Sequence, residues 1–128
     1  QEKIIFENHE QWFFDKIDSS HCVYFIAEVN NTPVGSLRYD LKSSRALISF
    51  LIDPEFHGKG YGTIILKKGF EALMKSHKDR IKVVVGEVMK ENIASIKTFQ
   101  QLGYNISQDK NGSYTFTKKI IPSENRHI

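Results

Sequence analysis

Ile48-Ser49-Phe50-Leu51-Ile52-Asp53-Pro54-Glu55-Phe56-His57-Gly58-Lys59-Gly60-Tyr61-Gly62 decides the fold. Ala46 to Ile52 is rich in strand-forming residues, and Asp53-Pro54 stops it, which predicts a strand. Behind the glycines, Leu66, Phe70, Leu73 and His77 recur at helical spacing, flanked by Ile65 and Met74. Lys67, Lys68, Glu71 and Lys75 fill the other side, which predicts a helix from Gly60 to His77. A strand, a glycine loop and a helix in immediate succession form an anion site. Backbone N–H groups at a helix start lack carbonyl partners, and the helix dipole adds partial positive charge. Gly58, Gly60 and Gly62 let an anion approach the main chain, and Lys59 adds a mobile cation.

Two familiar phosphate patterns fail here. A dinucleotide loop needs glycine at the sixth position from Gly58, where Thr63 stands. A triphosphate loop ends in Gly-Lys-Ser/Thr, and no such triplet occurs. What remains is a short loop shaped for a diphosphate, set against the plainer reading of a tight turn that holds nothing.

Outward from this stretch, Phe6 to Ile17 reads as a helix, with Asn8 and Gln11 as a capping box and Trp12, Phe13 and Ile17 on its apolar face. Cys22 to Val29, Val34 to Leu41 and Ala46 to Ile52 read as an antiparallel meander. Its turns are Asn30-Asn31-Thr32-Pro33 and Lys42-Ser43-Ser44-Arg45. Downstream, Ile81 to Val88 is a nearly continuous apolar run, as in a strand buried on both faces. Glu91 to Leu102 is a helix with Ile93, Ile96, Phe99 and Leu102 inward, closed by Gly103. Tyr104 to Gln108 and Ser113 to Lys118 form a hairpin around Asp109-Lys110-Asn111-Gly112. The expected architecture is a mixed α/β domain around one central sheet, spanning 1–120, with a loose tail over 121–128.

Composition bounds the function. The chain has 128 residues, 40% hydrophobic and 26% charged, which is ordinary for one globular domain. Its charge of +3 and pI near 9.0 suit an anionic ligand. The basic residues are scattered, so nucleic acid is not expected as a partner. Cys22 is the single cysteine, so no intrachain disulfide forms. No apolar run approaches a membrane span, and Glu2, Glu7 and Glu10 break any signal-peptide pattern, so no membrane partner and a cytoplasmic location are expected. The Asn-x-Ser/Thr triplets at Asn30, Asn105 and Asn111 read as chance matches. The chain opens at Gln1 without a methionine, which fits a fragment, a trimmed chain or one domain of a longer protein alike.

The opening stretch resembles the acetyl-CoA motif of the GNAT acetyltransferase superfamily, Gln/Arg-x-x-Gly-x-Gly/Ala after a strand. A second block, Asn92-Ile93-Ala94-Ser95, then Phe99 and Leu102-Gly103-Tyr104, is similar to that family's Asn-x-x-Ala/Ser helix ending in Gly-Phe/Tyr. With the order of elements, the resemblance covers nearly the whole chain. It implies a GNAT-like central mixed sheet that lacks the usual first strand. It also implies acetyl-CoA as co-substrate, with acetyl transfer to a primary amine. Main-chain groups of Leu51 and Ile52 should pair with the pantetheine arm. Amides from His57 through Gly58, Lys59, Gly60, Tyr61 and Gly62, with Thr63, should hold the diphosphate. Asn92 should touch the cofactor arm. His57 replaces the usual Gln or Arg, and its ring, when protonated, is a candidate for a further phosphate contact. Phe99, placed with the cofactor-binding residues, stands where many members carry a tyrosine that protonates the departing thiolate. Phenylalanine cannot do so, which leaves water, Tyr61 or Tyr104 as the proton source.

The amine must be deprotonated, and Glu87 is the first choice of catalytic base, with Asp53 second. Glu87 alternates with Ile81, Val83 and Val85, so it should be partly desolvated and a better base for it. No metal site is expected. The segment Ile4-Ile5-Phe6-Glu7-Asn8-His9-Glu10-Gln11-Trp12-Phe13 resembles nucleotide-amino-sugar N-acetyltransferases of the pseudaminic acid type, and Glu87-Val88 and Ser95-Ile96 agree with that branch. An amino sugar nucleotide therefore leads as acceptor, ahead of a protein amino terminus or small amine. A silent acyl-CoA-binding module is the reading from another class. Trp12 and His9 are candidates to touch the acceptor, beside plainer roles as core and surface residues. A homodimer could cover the exposed sheet edge.

Overall fold

The computed structural model describes residues 2–5 and 10–121. Among the described residues, eight strands form one sheet: β1 (Glu2–Ile5), β2 (Gln11–Asp18), β3 (Cys22–Val29), β4 (Thr32–Lys42), β5 (Arg45–Ile52), β6 (Val83–Met89), β7 (Asn105–Asp109) and β8 (Ser113–Lys119). Their order is β1-β2-β3-β4-β5-β6-β8-β7. Every neighbouring pair is antiparallel except β5 and β6, which are joined through α1 (Tyr61–His77). The second helix, α2 (Ile93–Gln101), connects β6 to β7.

Period-two burial explains the meander. On β3, Val23, Phe25, Ala27 and Val29 are buried, while Cys22, Tyr24, Ile26 and Glu28 are half-buried. The β3–β4 turn is Asn30-Asn31 with φ of 50° and 70°, a left-handed pair matched to strand twist. Ser43 and Ser44 repeat it between β4 and β5, with φ of 50° and 67°. Pro33 is tolerated in β4 beside a bulge at Ala27/Glu28, where the ladder shifts register.

The amino-terminal segment corrects the expected helix. Trp12 and Phe14 are buried and alternate with half-buried Phe13 and Asp15, so residues 11–18 pair with β3 from Trp12↔Val29 to Asp18↔Val23. The aromatic run favours a strand, and β3 offers an edge to complete. Ile17, expected inward, is 59% exposed because strand parity turns it away from Trp12. Gln11 donates its main-chain N–H to Asn30 Oδ1 instead of closing a capping box. Asn8 and His9 lie outside the described residues, as does the tail beyond Ile121. The expected lack of a first strand is likewise corrected, since β1 and β2 extend the sheet ahead of the meander.

Both helices cover the same side of the sheet. Gly69 of α1 lies against Leu37, and Gly62 against Phe50 and Ile52. Phe99 of α2 stacks on Phe116 and meets Phe50 edge-on. Register aligns Leu37 with Phe50 and Gly86 with Phe116 on that face. Trp12, Phe25, Leu37, Tyr39, Ile65, Leu73, Phe99 and Phe116 fill the core there. Ile93, expected inward, is 55% exposed at the first turn of α2. No described helix is long and apolar enough to cross a membrane.

Candidate cofactor and acyl-transfer site

Strands β5 and β6 run side by side from Arg45↔Val83 to Ile48↔Gly86 and then part. Beyond that point β5 stays paired only with β4, through Leu51↔Ser36 and Ile52↔Gly35. β6 stays paired only with β8, through Glu87↔Thr115 and Met89↔Ser113. The inner edges of Ser49–Ile52 and Glu87–Met89 therefore face a gap, and an extended amide-bearing chain is the ligand that such edges accept. Leu51 and Met89, near the ends of these strands, and Ile93 at the start of α2 are exposed.

The pairing within β5 refines which residues can serve. The Leu51 carbonyl lies toward β4, 2.6 Å from where a Cβ on Gly35 would sit. Asp53 N–H also turns that way, to the Val34 carbonyl at 2.9 Å. Because main-chain groups alternate along a strand, Phe50 and Ile52 direct theirs into the gap. The Ile52 main-chain N–H is therefore directed into the gap, while the Leu51 main chain is engaged with β4.

The loop then sets up the head of α1. Asp53 accepts a hydrogen bond from Glu55 N–H at 3.1 Å and caps the short turn Pro54–Phe56, a structural role rather than a basic one. The His57 N–H is used in that turn, donating to the Pro54 carbonyl at 3.2 Å, so it is not open to phosphate as expected. The His57 ring folds back, with Nε2 2.9 Å from the Ile52 carbonyl. A carbonyl only accepts, so this nitrogen carries the hydrogen. Gly58 and Gly60 have φ of 80° and 77°, which glycine adopts without penalty, and nothing lies within 4 Å of a Cβ built on either. Among the described residues, the N–H groups of Gly58, Lys59 and Gly60 have no acceptor, and those of Tyr61, Gly62 and Thr63 open the helix. No acidic side chain occupies its first turn. This cradle suits a diphosphate. Thr63 Oγ1 lies 3.3 Å from Thr98 Oγ1, tying the head of α1 to the body of α2.

On α2, Asn92 Oδ1 accepts from Ser95 N–H at 3.2 Å and is the helix cap, leaving its amide nitrogen for a ligand. Phe99 does not line the opening as expected. It is 1% exposed, enclosed by Phe50, Tyr104 and Phe116. Its ring carbons would be 2.8 Å from a Cβ on Gly86. The alternative proton donors are also committed. The Tyr61 hydroxyl donates to Glu10 at 2.5 Å, which together with burial holds its pKa up at about 12. Tyr104 is 4% exposed, and burial raises its pKa further. Trp12 is a core residue with no exposed surface, edge-on to Tyr61.

Glu87 shares a face with Val83 and Val85 on the side away from the helices, as expected. The expected desolvation is absent, because its side chain is 57% exposed. Ser113, itself buried, donates to Glu87 Oε1 at 2.9 Å, and Lys110 Nζ is 3.6 Å from Oε2. Both partners come from the hairpin side and draw the carboxylate toward β8.

The chain has counterparts among known proteins. A model described as the Acetyltransferase (GNAT) family matches residues 2–104. The chain belongs to the GNAT family. A Methanocaldococcus jannaschii protein named as an uncharacterized N-acetyltransferase is 27% identical over 105 residues, covering 76% of this chain. The chain spans only 45% of that relative's length. The fold of Campylobacter jejuni N-acetyltransferase PseH, solved with acetyl coenzyme A, superposes with a TM-score of 0.68. That pair is 19% identical, with 79% of this chain and 70% of PseH covered. The Escherichia coli ribosomal-protein-S18-alanine N-acetyltransferase superposes at 0.70 with 18% identity, covering 84% of this chain and 76% of that one. These likenesses are of fold.

Within this GNAT chain, two glycines at the site escaped the sequence reading. Gly35 admits the Leu51 carbonyl, and Gly86 admits the Phe99 ring at the point where the strands part. A glycine inside a strand is the signal that marks both.

Proposed function

We propose that this GNAT chain transfers acetyl from acetyl-CoA to a primary amine. The observation that carries the reading is the parting of β5 and β6 beside an unpaired glycine cradle at the head of α1. Bound acetyl-CoA supplies an activated thioester for attack by an unprotonated amine. Gly58 to Thr63 hold its diphosphate through backbone N–H groups, and the Phe50 main chain and the Ile52 N–H pair with its pantetheine arm. Asn92 contacts the arm from the start of α2. Glu87 takes the amine proton from the side opposite the helices, directly or through one water. With Phe99 unable to donate, the Tyr61 hydroxyl held by Glu10 and Tyr104 buried, the thiolate leaves as the anion, which a thiol pKa of about 8.5 permits. The preferred acceptor is a nucleotide-linked amino sugar, from the resemblance of residues 4–13 and of Glu87-Val88 with Ser95-Ile96. A protein amino terminus or small amine ranks behind it.

One observation favours a second reading, a silent acyl-CoA-binding module. The family's acid position is a buried phenylalanine, and Glu87 is held by Ser113 and Lys110. Calorimetric titration with acetyl-CoA, followed by thiol release over an amine panel, separates the readings. Binding with turnover supports the transferase. Binding without turnover on any amine leaves the module, and absence of binding removes both.

A further inference from the structure

The side of the sheet away from the helices carries a row of side chains that leads out of the gap. Register aligns Tyr24 of β3, Arg38 of β4 and Ser49 of β5. Extending the parallel register two residues beyond Leu47↔Val85 sets Glu87 at the same level across the gap. An amine held between Ser49 and Glu87 thus has Arg38 one strand away, about 5 Å in backbone spacing. A guanidinium reaches several ångströms further, the span of a small sugar.

Arg38 is free to serve a ligand. Its side chain is 51% exposed, and one of its nitrogens is 3.2 Å from Asp40 Oδ2. Among the described residues the rest of the guanidinium fork has no partner. An exposed pair of this kind adds at most about 1 kcal/mol to stability. The planar fork binds two oxygens of a phosphate at once, and a phosphate outbids one solvated carboxylate. Lys110, across the gap, is directed to Glu87. We propose that Arg38 binds the phosphate of a phosphate-bearing amine acceptor and so sets acceptor choice, an assignment that rests on the acetyl-transfer reading.

The test uses protein saturated with CoA, which fills the glycine cradle and removes it as a rival phosphate site. Glucosamine 1-phosphate and glucosamine are titrated into wild type, Arg38→Gln, Arg38→Lys and Asp40→Asn. The expected result is at least tenfold tighter binding of the phosphorylated sugar to wild type. Arg38→Gln should abolish that preference with glucosamine affinity and melting temperature unchanged. Arg38→Lys should keep part of it, and Asp40→Asn should increase it by removing the competing carboxylate. Equal binding of the two sugars, binding of neither, or a preference that survives Arg38→Gln overturns the assignment. Failure of CoA itself to bind would instead bring down the acetyl-transfer reading, and Arg38's role with it.

Discussion

On the helix side of the sheet, Phe25, Leu37, Tyr39, Phe99 and Phe116 are no more than 2% exposed. On the other side, Arg38, Ser49, Leu51 and Glu87 stand in solvent. On β4 the two sets alternate residue by residue, with Leu37 and Tyr39 buried on either side of exposed Arg38. One side is closed by aromatic packing that tolerates little change in volume. The other carries charged and hydroxyl groups in loose contact. Stability and chemistry are thereby assigned to opposite faces of one backbone, and they should respond separately to substitution.

The largest effect belongs to the closed side. Phe99→Ala removes a ring that touches Phe50, Tyr104 and Phe116, and should cost about 3–5 kcal/mol in a denaturant titration. A loss under 1 kcal/mol would mean that the aromatic cluster does not hold the two helices to the sheet. Glu87→Gln tests the open side. It should lower kcat by about a hundredfold and leave stability within roughly 0.5 kcal/mol. A variant with unchanged rate from pH 6 to 9 would show that another group or water takes the amine proton.

Gly35→Ala probes the seam between the faces. Its Cβ would sit 2.6 Å from the Leu51 carbonyl, so β5 must shift, at a cost of about 1–3 kcal/mol. The same shift moves Ile52, and CoA affinity should fall with stability; intact affinity would detach the β5 edge from cofactor binding. The smallest effect is confined to high pH. Tyr61 has a pKa raised to about 12 from 10, chiefly by its hydrogen bond to Glu10. The stabilisation from that bond is complete below pH 10 and disappears as pH rises toward about 12. Ultraviolet titration should show a tyrosine ionising near pH 12, ahead of buried Tyr39 and Tyr104, that moves to lower pH in Glu10→Gln. An unchanged titration would place the cause elsewhere.

The sequence disclosed most of this molecule because most of it follows a single period. β3 alternates every two residues, α1 repeats near 3.6, and Gly103 and Gly112 mark their turns with positive φ. The strand β2 was hidden because Trp12, Phe13 and Phe14 are contiguous, and a contiguous apolar run fits either period until its partner is known. At the site, the glycine cradle was legible from spacing alone. The engagement of Leu51 with β4, the use of the His57 N–H in a turn and the exposure of Glu87 depend on register and neighbours. Arg38 was silent for the same reason. Only pairing across β4, β5 and β6 sets it in line with the gap.

Two strands that separate after Ile48 and Gly86 leave part of the sheet's hydrogen bonding unfinished. A pantetheine arm that completes it counts, thermodynamically, as a ninth strand lent by the solvent. At a concentration a hundredfold above Kd, such a ligand adds about 2.7 kcal/mol to the folded state. Supply of the cofactor would then govern how long the chain survives as well as how fast it works.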